Sequence, residues 1–188
     1  MRLDDLVFVT SNRDKLREAE AVLGRTLDHS EIDLPELQTL DLVEAVRSKA
    51  RAAWERLGRP VLVEDTGLEL AGLGGFPGPL VRWLLASVGP EGICKIASCF
   101  EDPRATARCL VCATDGSHHV FGEGVVEGTV ARDPRGESGF GWDTAFVPDD
   151  CDGRSFGEMS EDEKNRISHR RKAFVALRNA LANHPPRA

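Results

Sequence analysis

LVFVTSNRDKLREAEAVLG, residues 6–24, decides the fold class. The apolar run LVFVT reads as a short buried strand, and SNRD ends it with turn chemistry. RDKLREAEAVLG then carries Leu16, Ala19 and Leu23 at helical spacing and stops at Gly24. Strand, turn and helix in direct succession are the opening of an α/β fold.

Outward from there the pattern repeats. EIDLPELQ (31–38) is loop-like. DLVEAVRSKARAAWERLG (41–58) places Leu42, Val43, Val46, Ala50, Ala53, Trp54 and Leu57 on one helical face, with Asp41 as cap and Gly58 as stop. In PVLVEDTGL (60–68) the strand PVLV delivers Glu64 and Asp65 at its carboxyl end, where ligands bind in open α/β sheets. GLGGFPGP (72–79) reads as a rigid, turn-rich loop before two short helices, about 80–87 and 91–100. ATARCLVCAT (105–114) and HHVFGEGVVEGTVAR (118–132) read as antiparallel strands turning at DGS. SEDEKNRISHRRKAFVALRNALAN (160–183) reads as helical from Ser160, with Phe174, Leu177 and Leu181 at core spacing. GEGVVEG looks like a dinucleotide fingerprint only by eye, because the spacing is wrong and no helix follows.

A chain of 188 residues is the size of one domain, here expected to span 1–188 with two lobes. With 41% hydrophobic and 29% charged residues it is ordinary globular material, and only the tail HPPRA (184–188) suggests disorder. MRLDDLVFVT carries acids where a signal peptide needs a basic flank, and no apolar run reaches the ~18 residues that span a bilayer. A cytoplasmic protein with no membrane partner is expected. The net charge of −7 opposes a nucleic acid polymer, so any phosphate site must be a local cluster of cations. Five cysteines without a secretory signal read as free thiols. Cys109 and Cys112 form C-x-x-C on a strand, where positions three apart face opposite sides, so buried thiols are a better reading than zinc.

Three clusters carry chemistry. TSNRDK (10–15) sits at a strand-to-helix turn, where free amides and Lys15 suit a phosphate, although Ser11 or Asn12 could simply cap the helix. Glu36, Glu44, Glu64 and Asp65 offer oxygen ligands, and adjacent acids after an apolar strand call for a neutralising ion such as Mg²⁺; otherwise Glu64 faces solvent and Asp65 caps a turn. EKNRISHRRK brings Lys164, Ser168, His169 and Arg170 together, although a basic run on a helix is ordinarily a solvated face. His118 and His119, at the hairpin, read as surface residues. With Lys49 and the aromatic step FGWDTAF (140–146), these pieces describe a nucleotide site: Phe140 or Trp142 stacks on a base, and Asp143 or Arg170 reads its polar edge.

VFVTSNRDKLREAEAVLG, IDLPELQ, PVLVEDTGLEL, GLGGFPGPLVRW, FGWD and EMSEDEKNRISHR, in this order, closely resemble the inosine triphosphate pyrophosphatase family, the Ham1-like house-cleaning nucleotide hydrolases. The resemblance implies an elongated mixed α/β sheet with flanking helices, two lobes around a central nucleotide-binding cleft, and a homodimer. It implies hydrolysis of ITP, dITP or XTP to the monophosphate and pyrophosphate with Mg²⁺. Thr10, Ser11, Asn12, Arg13, Asp14 and Lys15 match the triphosphate-lining segment, and Lys49 matches the helix lysine that reaches the phosphates. Glu36 and Asp65 match the metal-binding acids, Asp65 also matches the proton acceptor, and Thr66 and Arg82 match substrate contacts. Phe140, Gly141, Trp142 and Asp143 match the base-binding step, with Lys164, His169 and Arg170 matching the residues that hold the base and sense its 6-keto group. Two positions depart from the family: Thr144 stands where proline is common, and Arg82 where some relatives carry lysine. A non-catalytic nucleotide-binding protein and a hydrolase of modified pyrimidine triphosphates are the competing expectations.

Overall fold

The computed structural model describes residues 1–183; the tail 184–188 lies outside them. Strand β1 (Val7–Val9) leads through the expected turn into helix α1 (Arg13–Leu23), and β2 (Asp28–Ser30) follows. The polar sequence of β2 carries no strand signal; parallel pairing with β1, Val7 opposite Asp28, makes it one. Helix α2 (Leu42–Leu57) starts on Asp41, whose carboxylate accepts the Val43 and Glu44 amides. Its buried face is Leu42, Ala45, Val46, Ala50 and Ala53, while Val43, expected on that face, is exposed. Ala45 takes its place because the helix turns about 100° per residue and Val43 falls at the rim of the stripe.

Strand β3 (Val61–Leu70) is the main correction. It runs on for ten residues instead of ending after PVLV, so Glu64 and Asp65 lie in mid-strand. Strand β4 (Pro77–Gly78) folds back on it antiparallel. Helix α3 (Val81–Ala97) is broken at Gly89 (φ 67°, ψ 178°) before Pro90, which accounts for the two short helices expected there. Strands β5 (Arg104–Thr114) and β6 (His119–Val130) form the long hairpin, its turn held by the Asp115 carboxylate accepting from the Ser117 and His118 amides. Strand β7 (Phe146–Pro148) completes the sheet.

At the C-terminal side the single expected helix is two, α4 (Glu161–Ile167) and α5 (His169–Ala182). Ser168 separates them: its extended backbone (φ −63°, ψ 151°) ends α4, and its hydroxyl accepts from the Arg171 amide to start α5.

The sheet order is β2-β1-β3-β5-β6-β7, with β4 also on β3. The first three strands are parallel and the rest antiparallel, giving an open mixed α/β sheet. Its faces are read directly along β5. Cys109, Val111 and Ala113 pack with Phe8, Leu62 and Phe174 under α1 and α5, while Leu110 and Cys112 pack with Val61, Val63 and Ala50 under α2. The two cysteines of C-x-x-C therefore face opposite sides, and burial pushes the Cys112 thiol up to about 12. A third cluster, with Leu68, Val81, Ile93, Val126 and Phe146, fills the other end of the long strands beneath α3.

The glycines of GEGVVEG have a packing role here. Gly122 and Gly124 lie under α5, and a β-carbon on Gly124 would overlap the His169 carbonyl and the Ala173 amide. Both obstacles are backbone, so nothing can rotate away. Gly124→Ala is expected to cost about 2–3 kcal/mol, in the range of core overpacking. A urea melt would read the loss, and a midpoint equal to that of the wild type would refute the close approach.

Candidate active site

Strand β1 stops at Val9 and meets β3 only at Val61 and Leu62, while the pairing of β3 with β4 starts at Leu68. Between them the edge of β3 at residues 64–67 is uncovered. A cavity of about 610 Å³ lies there, of a size suited to a small ligand. It is lined by residues 10–15, Glu36, Lys49, Glu64, Asp65, Thr66, Arg82, 140–143, His169 and Arg170, so segments far apart in sequence meet at the end of β1.

At the α1 end, Asn12 caps the helix: its side chain accepts from the Asp14 and Lys15 amides at 2.9 and 3.1 Å. Those two amides are therefore already satisfied, and the anion-attracting capacity of this end comes chiefly from Lys15 and Lys49. Glu64 and Asp65 point to opposite faces, as neighbours on a strand must. Glu64 turns toward α1 and α5, where Lys15 Nζ stands 2.8 Å away; Asp65 turns toward α2, with Lys49 Nζ at 3.4 Å. The adjacent acids are thus neutralised separately by lysines and an arginine, rather than jointly by one ion.

Arg170 is the most heavily committed cation. Its Nε and Nη2 donate to the two Glu64 oxygens at 2.7 and 3.2 Å, Nη2 also reaches Thr66, and Nη1 donates to Glu18. Lys164 donates to Glu18 at 2.7 Å and to Asp143 at 2.5 Å. Burial opposes the Glu64 charge, but Arg170 and Lys15 hold the carboxyl well below its ordinary range. Glu18 behaves alike, with burial outweighed by Arg170 and Lys164. For Asp143 burial prevails over Lys164 and the pKa moves up. Burial, with Arg170 and Lys164 nearby, keeps His169 well below its usual value and therefore neutral, and its Nδ1 has no hydrogen-bond partner among the described residues.

The basic run of 163–172 divides: Arg166, Arg171 and Lys172 are solvated, whereas Lys164, His169 and Arg170 are each about 2–3% exposed. Lys164 does not line the cavity and stands behind Asp143, fixing it from the rear. Trp142 is also mostly sealed, stacked on His169 at 5.3 Å and edge-on to Phe146 at 5.6 Å. Phe140 is the more open ring, with Lys164 and Arg170 at 4.6 and 5.5 Å from its centroid. Thr144, in the proline position, accepts from the Arg135 amide through its carbonyl. Asp143 is held independently by Lys164 and by the Phe140 amide at 2.7 Å.

Glu18, a buried partner of Lys164 and Arg170, was not among the candidates read from the sequence. It shares the stripe of Lys15, Ala19 and Val22 on α1, and that spacing is the signal that could have found it. Glu36 pairs with Arg82 at 2.6 Å across the cavity mouth. Glu44 bonds to Thr39 and does not line the cavity. No three His, Cys, Asp or Glu side chains converge as a metal site among the described residues. Glu36 and Asp65 nevertheless face one cavity with side chains 35% and 21% exposed. Two accessible carboxylates are a donor set that Mg²⁺ takes when phosphates and waters complete its octahedron.

The family model of the Ham1 family matches residues 6–180. The chain belongs to the Ham1 family. Inosine triphosphate pyrophosphatase 2 of Trypanosoma cruzi is 44% identical over 177 residues, covering 92% of this chain and 90% of the relative. Inosine triphosphate pyrophosphatase of Saccharomyces cerevisiae is 38% identical, covering 96% and 98%. Among solved structures, a HAM1 protein from Coxiella burnetii superposes with a TM-score of 0.81 at 28% identity, over 95% of this chain and 99% of that one. The mixed open sheet is thus the Ham1 fold. Among the described residues no helix is long and apolar enough to cross a membrane.

Proposed function

We propose that this Ham1-family protein hydrolyses non-standard purine nucleoside triphosphates, ITP, dITP and XTP, to the monophosphate and pyrophosphate, and so cleanses the nucleotide pool. The observation that carries the reading is that one cavity is lined both by Lys15, Lys49 and Arg82 and by Phe140, Asp143, His169 and Arg170. The curated relatives named as inosine triphosphate pyrophosphatases over nearly the full length support it.

In this reading the triphosphate lies along the α1 turn, its charge met by Lys15, Lys49 and Arg82. Asp65 orients and deprotonates the water that attacks the α-phosphorus. Glu36 and Asp65 would hold Mg²⁺, which when bound would supply charge neutralisation for the phosphates and the leaving pyrophosphate. The base rests against Phe140, and Trp142 walls the site from behind. His169 and Arg170 present donors to a 6-keto oxygen, while Lys164 acts through Asp143. A 6-amino group leaves such donors unpaired at about 1–3 kcal/mol each, giving roughly ten- to hundredfold discrimination per contact. The working form in this reading is a cytoplasmic homodimer of single-domain chains, each with two lobes about the cavity.

The test is pyrophosphate release from ITP, XTP, dITP, GTP and ATP, with Mg²⁺ and with EDTA. Turnover of ITP at least about tenfold above ATP, lost in EDTA, is expected. Equal turnover of ITP and ATP would sink the selectivity, and indifference to EDTA would remove the metal.

A further inference from the structure

We propose that Glu64 is a positioning residue that couples Lys15 to Arg170 and limits how tightly Lys15 and its neighbours hold a phosphate anion. The inference rests on the nucleotide reading above. One Glu64 oxygen serves Lys15 at 2.8 Å and Arg170 Nη2 at 3.2 Å; the other accepts from Arg170 Nε at 2.7 Å, with the Cys109 thiol 3.7 Å away. With its side chain 1% exposed, Glu64 is almost wholly enclosed by these partners. Its three partners come from α1, α5 and β5, so a single mid-strand charge fixes two neighbouring cavity cations, Lys15 and Arg170, assigned in the reading above to the phosphates and to the base. Glu18 provides the contrast, because it pairs with Lys164 and Arg170 and leaves Lys15 alone.

Geometry and charge separate in two substitutions. Aspartate keeps the charge but is one methylene shorter, so it cannot reach Lys15 while clamping Arg170 with both oxygens. Glutamine keeps the length but offers one acceptor oxygen, and its amide must face a cation. It also removes a negative charge one ion pair away from the phosphates, which relieves repulsion in a poorly screened site.

Inorganic tripolyphosphate, titrated by calorimetry in EDTA, probes Lys15 and its neighbours without a base; the ITP-to-ATP ratio of kcat/KM probes recognition of the base. Glu64→Gln is expected to bind tripolyphosphate about tenfold more tightly and to lose about tenfold in the ratio. Glu64→Asp should lose the ratio while binding tripolyphosphate within about threefold of wild type, and Glu18→Gln should do the same. A purely structural Glu64 would weaken both readouts, and tighter tripolyphosphate binding would not follow. A folded Glu64→Gln protein with both readouts within about twofold of wild type overturns the proposal. Where Glu64→Gln does not fold, Glu64→Asp decides: an unchanged ratio overturns the proposal. A wild-type protein that binds tripolyphosphate but leaves ITP intact overturns the nucleotide reading instead, and the charge role of Glu64 is then judged by tripolyphosphate alone.

Discussion

Arg170→Met is expected to lower the stability of the folded protein by about 3–5 kcal/mol, the range for removing one partner of a buried ion network. The reason is what remains behind. Glu18 and Glu64 both lose their guanidinium, and their side chains are 8% and 1% exposed. A change of that size in a domain of this length shifts the melting temperature by roughly 6–20 °C. The pH dependence should also change. In the wild type both carboxyls titrate below their ordinary value of 4.5, so their contribution is present above that pH and lost only as pH falls through the lower folded value. Without Arg170, burial becomes the larger influence and raises both carboxyls above the unfolded value, so the variant should gain stability as pH falls from about 7 to about 5. Calorimetric melts across that range give the answer. A variant melting within about 2 °C of wild type would mean that the network carries little of the fold. Base selectivity measured in an Arg170 variant must therefore be read beside its melting curve, because this residue is a structural hub as well as part of the cavity wall.

Asp65→Asn should reduce turnover of ITP by about 10²–10⁴-fold, the usual worth of a positioned general base. It should leave the fold intact: Asp65 is partly exposed, and its pairing with Lys49 at 3.4 Å is long. The neighbouring Glu64 cannot take over, since it points to the other face of β3 and is already occupied by Lys15 and Arg170. Single-turnover kinetics separate the chemical step from binding, and calorimetry with ITP in EDTA should still register a complex. Wild-type turnover by this variant would remove Asp65 from the mechanism.

Much of the fold is legible in local pattern. The α1 and α2 stripes, their caps at Asn12 and Asp41, and the β5–β6 hairpin all rest on contacts within a few residues. Strand β2 was not legible, because Asp28, His29 and Ser30 become a strand only by pairing with β1. The break at Ser168 was hidden because Ser160 and Ser168 both suit a helix cap, and both are used, Ser160 for α4 and Ser168 for α5. The candidate site divides in the same way. Residues 10–15, Lys49, Asp65 and the FGWD step could be picked out by type and spacing, and they line one cavity. Glu18 was passed over although it shares the buried stripe of α1, since an acid on an amphipathic helix is ordinarily solvated.

The amino-acid sequence by itself determined the α/β class, the family, and most of the side chains that gather around one cavity, because strand and helix periods and the motif residues are local properties. Only the tertiary structure decided what each charge does. Glu64 and Asp65, adjacent in the chain, are sent to opposite faces by the pleat of β3; one is sealed between Lys15 and Arg170, and the other is left open beside Lys49. Whether a charge becomes buried scaffold or accessible chemistry depends on what packs over it, and those neighbours come from α1, α2 and α5, far away in the sequence.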